Sequence, residues 1–230
     1  MTIEQLTSAV INDLYSGLRE LNSNIDISEE QIADELVALR EQVIREQWLH
    51  GLLRRDDLLT ALNCVVVDCK DPTKCSACDR SYNGPAGRSE MHFEIPKTVD
   101  GLGEDAIYFV GSADRTERYR VYYSPSQVKY NRYRRRHQDR PYVYIEKTPN
   151  ENGNYDGWIF NLPYVKTISV IGIFKDPRDL ERLGCDGNCD NTSGDVGSIS
   201  YEIKSRLTKE KLFYYKQYSL PPQPNNQIAR

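Results

Sequence analysis

The sequence predicts an α+β fold in which N- and C-terminal helices form a helical bundle around an inserted antiparallel β-rich region. Apolar residues recur every three or four positions over residues 2–47 and again over residues 199–218, the period of an amphipathic helix. Between them, short β-branched and aromatic runs alternate with turn residues, as in an antiparallel sheet or sandwich. These patterns divide the chain into an N-terminal helical bundle (1–63), a cysteine-containing loop (64–90), a β-rich region (91–176), a loop and C-terminal helix that rejoins the bundle (177–219) and an extended tail (220–230).

Two capping boxes mark the starts of the first two helices. Thr2 with Gln5, and Ser28 with Gln31, each combine a hydroxyl with a glutamine that can satisfy free backbone N–H groups. The apolar residues that follow at helical spacing are Ile3, Leu6, Val10, Leu14, Leu18 and Leu21 in the first helix, and Ile32, Leu36, Leu39 and Val43 in the second. We expect a third helical segment from about Trp48 to Leu62, and therefore a small antiparallel bundle of three helices.

The densest apolar stretch of the chain lies between Tyr142 and Asp176. Two β-like runs, Tyr142–Glu146 and Trp158–Leu162, flank a turn in which Asn152-Gly153 supplies the conformations that tight hairpins favour. A third run, Ile168–Phe174, is nearly uninterrupted, so it predicts a strand buried on both faces or crossing a subunit interface. Shorter β-like runs precede this stretch at Cys64–Cys69, His92–Ile95, Ala106–Gly111, Arg118–Tyr123 and Val128–Tyr133.

Composition points to a subunit that completes its burial against neighbours. Hydrophobic residues make up 39% of the chain and the mean hydropathy is −0.66, while sixteen tyrosines replace part of the aliphatic core. Tyrosine buries a ring, keeps a hydroxyl for hydrogen bonding and is enriched at interfaces. The alternative is a monomer with many half-exposed tyrosines. The net charge of −4 argues against a general nucleic-acid binder.

The N-terminal residues lack the pattern of a signal peptide, and no apolar run is long enough to span a bilayer. We therefore expect a protein of the cytoplasm, or of an assembly made there, with its six cysteines as reduced thiols or metal ligands rather than disulfides. Two cysteine pairs in loops are candidate zinc knuckles, since a structural zinc needs four such ligands. The candidates are Cys69, Cys75, Cys78, Cys185 and Cys189, with Cys64 as a competitor. The other interpretation is free loop thiols, and we expect no cofactor.

One basic run stands out in this acidic chain. Its basic residues, interleaved with tyrosines, are Lys129, Arg132, Arg134, Arg135 and Arg136. Such a run can follow a phosphate backbone with rings available for stacking, but it can also be a solvated loop or a contact to an acidic partner. The three histidines have no serine or cysteine in a known catalytic order, and neither HExxH nor GxSxG occurs, so we expect no enzyme.

The order of parts resembles the head–tail connector (portal adaptor or ring) proteins of short-tailed bacteriophages. It is most similar to those of crAss-like phages and related in kind to tail tubular protein A. The resemblance is carried by IADELVALREQVIREQ at Ile32–Gln47, by LPYVKTISVIGIFKDPRDLE at Leu162–Glu181, and by the late helix with its trailing PPQPNN at Pro221–Asn226. It covers most of the chain as a pattern of elements rather than as a diagnostic motif.

This resemblance implies a virion protein without catalytic residues, assembled in the host cytoplasm. Its helical core would dock under the portal as a ring, typically a 12-mer, and β-rich segments would meet further tail or ring proteins around the DNA channel, with no membrane involved. The tail would reach into portal clefts through Leu220, Pro221, Pro222, Gln223, Pro224, Asn225, Asn226, Ile228 and Arg230. The basic run would touch an acidic neighbour or channel DNA. The rival interpretation is a zinc-stabilised nucleic-acid-binding protein.

Overall fold

The computed structural model describes residues 1–18, 27–52, 58–68, 91–132, 140–162, 165–182 and 199–219, and it confirms an α+β fold. The helices are α1 (Ile3–Leu18), α2 (Glu29–Leu49), α3 (Pro125–Arg132), α4 (Asp179–Arg182) and α5 (Ser200–Ser219), with a 3-10 turn at Gly103–Ala106. The strands are β1 (Thr60–Val66), β2 (Met91–Ile95), β3 (Ile107–Ser112), β4 (Arg120–Tyr122), β5 (Tyr142–Pro149), β6 (Tyr155–Phe160) and β7 (Thr167–Gly172).

Two compact units make up the described chain. The first, here called the helical unit, contains α1, α5 and the part of α2 up to Val43. The second, the β-unit, contains the described residues between Ile44 and Arg182. The helical unit is therefore assembled from both ends of the sequence, with the β-unit inserted between them.

The predicted capping boxes begin α1 and α2. At α1 the pair is reciprocal: Thr2 N donates to Gln5 Oε1 at 3.1 Å and Gln5 N donates to Thr2 Oγ1 at 3.3 Å. At α2, Gln31 N donates to Ser28 Oγ at 3.4 Å. These bonds satisfy backbone donors that a helix start otherwise leaves free, so the sequence signal and the geometry agree.

Within the helical unit, α1 packs along α5 and α2 contacts α5. Lys204 Nζ lies 2.9 Å from Asp13 Oδ2, and one turn further along α1 the backbone of Gly17 lies beneath the side chain of Leu212. Both contacts advance in the same sense, so α1 and α5 run side by side in the same direction. Lys211 Nζ lies 2.6 Å from Glu35 Oε1 of α2.

The expected third helix between Trp48 and Leu62 is wrong. Trp48 belongs to the end of α2, where Gly51 N donates to Trp48 O at 3.0 Å and Leu52 N donates to Gln47 O at 2.9 Å. This is a Schellman ending, with Gly51 at φ +65° in the left-handed position that glycine tolerates. Residues 60–66 are instead strand β1, because pairing with β7 outweighs a helical period that a short apolar run cannot establish.

The β-unit contains two sheets, and one parallel pair departs from the predicted antiparallel arrangement. The first has the order β1-β7-β3, with both pairs antiparallel. The second has the order β2-β6-β5-β4, in which β4 runs parallel to β5. The prediction for Ile168–Phe174 is confirmed in its first form: β7 is the central strand of the first sheet, with Ile168 and Val170 buried on one face and Ser169 buried on the other.

Single bridges join the two sheets at both edges. Just after β1, Asp68 and His92 exchange two backbone hydrogen bonds of 2.7 and 2.8 Å. Just before β4, Tyr119 N donates to Val110 O at 2.7 Å, and Arg118 forms a bridge with Gly111. The strands thus follow one another in a closed ring, β1-β7-β3-β4-β5-β6-β2, around one shared core. That core includes Leu62, Val65, Phe93, Ile95, Val110, Val143, Ile145, Ile159, Ile168 and Val170.

The predicted hairpin is confirmed, whereas Val128–Tyr133 is not a strand. The hairpin pairs β5 with β6, and Gly153 in its turn has φ +81°. Residues 125–132 form α3, which begins with proline at its first position, where a missing N–H costs nothing. Ser124 O accepts hydrogen bonds from the backbone of Gln127 and Val128, and the buried Val128 anchors the helix on the sheet.

Replacing Gly157 by alanine tests the packing of the core. Gly157 of β6 faces Phe93 of β2, and a Cβ at this position would overlap the aromatic ring. We expect Gly157→Ala to lower the free energy of unfolding by roughly 1–3 kcal/mol, the usual cost of overpacking. Urea denaturation measures this change, and Phe93→Leu supplies the control. The cost of the added methyl should shrink in the Phe93→Leu background; equal costs in both backgrounds would refute the clash.

Candidate functional site

Three arginines line one cavity on the outer side of β4 and β5. The cavity, here called the arginine cavity, has a volume of about 320 Å³. Its lining residues are Glu117, Arg118, Arg120, Tyr122, Arg140, Pro141 and Tyr142. The alternation of a strand explains the arrangement: Arg118 and Arg120 are exposed, while Tyr119 between them is buried.

The pairing of β4 with β5 brings the third arginine to the same place. Arg120 lies opposite Tyr142 in the parallel register. Arg118 and Arg140 each come two residues before this pair in sequence, and both line the cavity. A parallel pair therefore brings together basic side chains that are far apart in sequence. No single short stretch of the sequence contains all three arginines.

Aromatic rings form a firm wall for this cavity. Tyr122 meets Tyr142 edge to face at 5.8 Å between ring centroids, and Tyr142 stacks on Phe160 at 4.9 Å. The Arg120 guanidinium lies 5.3 Å from the Tyr122 centroid, within the range of a cation–π contact. Tyr122, Tyr142 and Phe160 form one buried cluster with Val128 of α3, so α3 abuts the cavity wall.

Arg118 is held by contacts with Tyr108 rather than with the aromatic wall. Its Nη2 donates to Tyr108 O at 2.7 Å, and its guanidinium lies 5.5 Å from the Tyr108 ring centroid. Arg118 and Arg120 also line a second cavity of about 490 Å³, to which Glu104 and Asp105 contribute acidic side chains. The two arginines therefore line both cavities, and only the second of these has Glu104 and Asp105 in its lining.

The predicted basic run adjoins this site but is described only in part. Lys129 and Arg132 lie in α3, and Arg134, Arg135 and Arg136 lie outside the described residues. Sequence reasoning missed Arg118, Arg120 and Arg140. The signal that could have found the first two is the alternation in RYRVYY, which places both arginines on one face of a strand.

A second cluster lies on β2 and β6, where His92 and Glu94 share a strand face with Asp156. His92 Nε2 donates to Asp156 Oδ1 at 2.9 Å, and that oxygen also accepts from Asn150 Nδ2 at 3.1 Å. Glu94 Oε2 accepts from Asn154 Nδ2 at 3.2 Å. The ligand atoms of the three residues lie within 4.8 Å of one another, close enough to hold a divalent cation. In the observed arrangement, the carboxylates serve as acceptors that fasten the hairpin turn to β2.

An aromatic row continues from His92 across the sheet. His92 contacts Trp158 edge to face at 5.7 Å, and Trp158 stacks on Tyr144 at 5.5 Å. Burial, and after it the negative charge of Glu146, raises the pKa of Tyr144 above its ordinary value. Cross-strand aromatic pairs of this kind stabilise a sheet face, which accounts for the row without a ligand.

The expectation that all cysteines are reduced is wrong for Cys64, which is disulfide-bonded. A disulfide sulfur cannot act as a thiolate ligand, so Cys64 is removed from the zinc candidates. The prediction of reduced cysteines failed for Cys64 because it was based only on the absence of a signal-peptide pattern. Cys69, Cys75, Cys78, Cys185 and Cys189 lie outside the described residues, as do Leu220 to Arg230 of the predicted tail.

Replacing Asp156 by alanine tests the histidine–carboxylate cluster. The change leaves His92 and Asn150 without their shared acceptor in a site where His92 is only 8% exposed. We expect the free energy of unfolding to fall by roughly 1–3 kcal/mol, the cost of buried donors left unsatisfied. Chemical denaturation measures the loss. Glu151→Gln, at an exposed position of the same hairpin turn, is the control and should have little effect; equal stability of both variants would contradict the role given to Asp156.

Tyr119 predicts a pH dependence in the alkaline range. Burial, followed by the charges of Glu117 and Asp114, raises the pKa of Tyr119 from 10.0 to about 12. The folded protein therefore holds this proton more tightly than the unfolded chain. The contribution of Tyr119 to stability should be complete below pH 10.0 and fall as the pH rises towards about 12. Denaturation at several pH values should show that the free energy of unfolding declines less steeply with pH in Tyr119→Phe than in the unmodified chain. Identical declines would count against this contribution of Tyr119.

None of the helices in the described ranges is both long and apolar enough to cross a membrane. No protein-family model matches the sequence, and no curated protein matches it significantly.

Proposed function

We propose that this chain is a structural virion protein that forms a ring between the portal and the tail of a short-tailed phage and lines the DNA channel. In this proposal the protein is not an enzyme, and twelve copies match the symmetry of the portal. The resemblance of its element order to head–tail connectors motivates the proposal. The observation that carries it is the set of large aromatic side chains that the helical unit leaves in water.

Four aromatic residues of α1 and α5 are exposed in the isolated chain. The exposed fraction is 49% for Tyr15, 81% for Tyr201, 65% for Phe213 and 50% for Tyr214. Tyrosine and phenylalanine are enriched where subunits meet, because their rings bury much area at low cost in conformational entropy. A ring of copies would cover such side chains, which supports a protein made for assembly.

Contacts within the helical unit support the bundle that we propose. Ion pairs connect α5 to both other helices, through Lys204 with Asp13 of α1 and Lys211 with Glu35 of α2. We propose that α1, α2 and α5 form the bundle that docks beneath the portal. The segment Leu220–Arg230 follows α5 directly, and its prolines at 221, 222 and 224 favour an extended docking tail that loses little entropy on binding.

The alternative is a zinc-stabilised nucleic-acid-binding protein. The arginine cavity favours the nucleic-acid part of this alternative, since it adds basic residues beside the predicted run. The Cys64 disulfide weakens the zinc part by removing one candidate ligand. The two functions differ in stoichiometry and in metal content, so one measurement separates them.

Native mass spectrometry of the chain mixed with the portal protein encoded in the same genome tests the proposal. We expect a complex with equal numbers of the two subunits, and a variant ending at Ser219 should lose the association while its unfolding curve stays unchanged. Phe213→Ser with Tyr214→Ser is a second variant, expected to weaken ring formation because both side chains are exposed.

Two outcomes would count against the proposal. A zinc-loaded monomer that ignores the portal protein would favour the nucleic-acid-binding alternative. Undiminished portal binding by the variant that ends at Ser219 would remove the docking role from residues 220–230.

A further inference from the structure

We propose that the arginine cavity is a binding site for the phosphate groups of duplex DNA, with Arg118, Arg120 and Arg140 as the phosphate contacts. The site itself follows from the cavity; the identity of the polyanion as duplex DNA rests on the proposed function. The predicted basic run over residues 129–136 does not include any of these three arginines.

The positive charge of the cavity favours the binding of an anion. Among the described residues, three guanidinium groups and the carboxylate of Glu117 line it, although the whole chain carries a net charge of −4. Within the described part of the chain, Arg120 contacts the Tyr122 ring and neither Arg120 nor Arg140 forms an ion pair. Like charges gathered at one place repel each other, and an anion bound between them relieves that repulsion.

The shape of the site suits phosphate. Arginine presents a planar fork of donors that matches phosphate oxygens, and this geometry makes it the preferred residue for nucleic-acid backbones. The strand register sets Arg120 of β4 opposite Tyr142 of β5, two residues after Arg140, and Arg118 is held by its bond to Tyr108 O. The sheet thus sets the spacing of the donors in advance, so binding needs little rearrangement.

The surroundings favour a long polyanion over a small one. Helix α3, which contains Lys129 and Arg132, packs against the cavity wall through Val128. In sequence, Arg134, Arg135 and Arg136 lie between α3 and Arg140, together with the acidic Asp139. In the neighbouring cavity, Glu104 and Asp105 balance the charges of Arg118 and Arg120, so the excess positive charge lies on the side of Arg140.

The test measures binding of the full chain to a fluorescent duplex of about 20 base pairs by anisotropy at several salt concentrations. We expect Arg120→Gln with Arg140→Gln to weaken the Kd about tenfold or more and to reduce the salt slope by about two. The control pair, Arg206→Gln with Lys209→Gln, removes the same charge from exposed positions on α5 and should stay within about twofold of the unmodified chain.

Equal affinities of the two double variants would overturn the site, because they would show that binding depends only on the overall charge of the chain. Poly-glutamate that binds more tightly than DNA, through the same arginines, would overturn it in favour of an acidic protein partner. Should the double variant unfold, Arg140→Gln alone serves as the test, since the Arg140 side chain is exposed. Inorganic phosphate should compete only weakly, because it offers a single charged group to the cavity; competition as strong as that of DNA would overturn the choice of a polyanion.

The same variants distinguish this inference from the proposed function. We expect Arg120→Gln with Arg140→Gln to bind the portal protein as the unmodified chain does. Portal binding without arginine-dependent DNA binding would overturn only the phosphate site. Arginine-dependent DNA binding without portal binding would leave the site standing and overturn the connector.

Discussion

Backbone hydrogen bonds at two single bridges close the strand ring of the β-unit, and both side-chain clusters depend on them. The bridge between Asp68 and His92 joins β1 to β2, and the bridge between Gly111 and Arg118 joins β3 to the chain entering β4. Closure leaves both sheets without a free edge at these points, which removes the unpaired backbone groups that an open sheet exposes. It also encloses one apolar core shared by the two sheets.

Each bridge also orients the residue that carries the nearby chemistry. His92 forms two backbone bonds with Asp68, so its imidazole is directed outwards to Asp156. Arg118 lies beside the bond from Tyr119 N to Val110 O, which turns Tyr119 into the core and Arg118 towards the cavity. Strand alternation then separates an apolar interior from a basic outer face with no need for a specialised loop.

Local sequence signals predicted the elements that local interactions create. The capping boxes at Thr2 and Ser28 begin real helices, and the turn around Gly153 joins a real hairpin. Two local signals were present but overlooked: Gly51 ends α2, and Pro125 begins α3. With them, the helix expected up to residue 62 and the strand expected from residue 128 would have been assigned correctly.

Pairing between segments that are distant in sequence cannot be predicted from patterns within either segment. The residues of β1 suit either a helix or a strand, and only the partner β7 decides between them. The parallel pairing of β4 with β5 likewise has no signature in either strand, so the meeting of Arg120 and Arg140 could not be foreseen. The disulfide at Cys64 escaped for a different reason, since composition says little about which thiols come close together.

The helical unit combines segments that are far apart in sequence, so its assembly depends on the order in which they are synthesised. On the ribosome, α1 emerges with its apolar face of Leu6, Val10 and Leu14 well before its partner α5 has been translated. The β-unit is complete before then and can close around its own core. The nascent chain must therefore carry the apolar face of α1 without its partner α5 while the β-unit is translated, and chaperones or neighbouring nascent chains are the partners available in that interval.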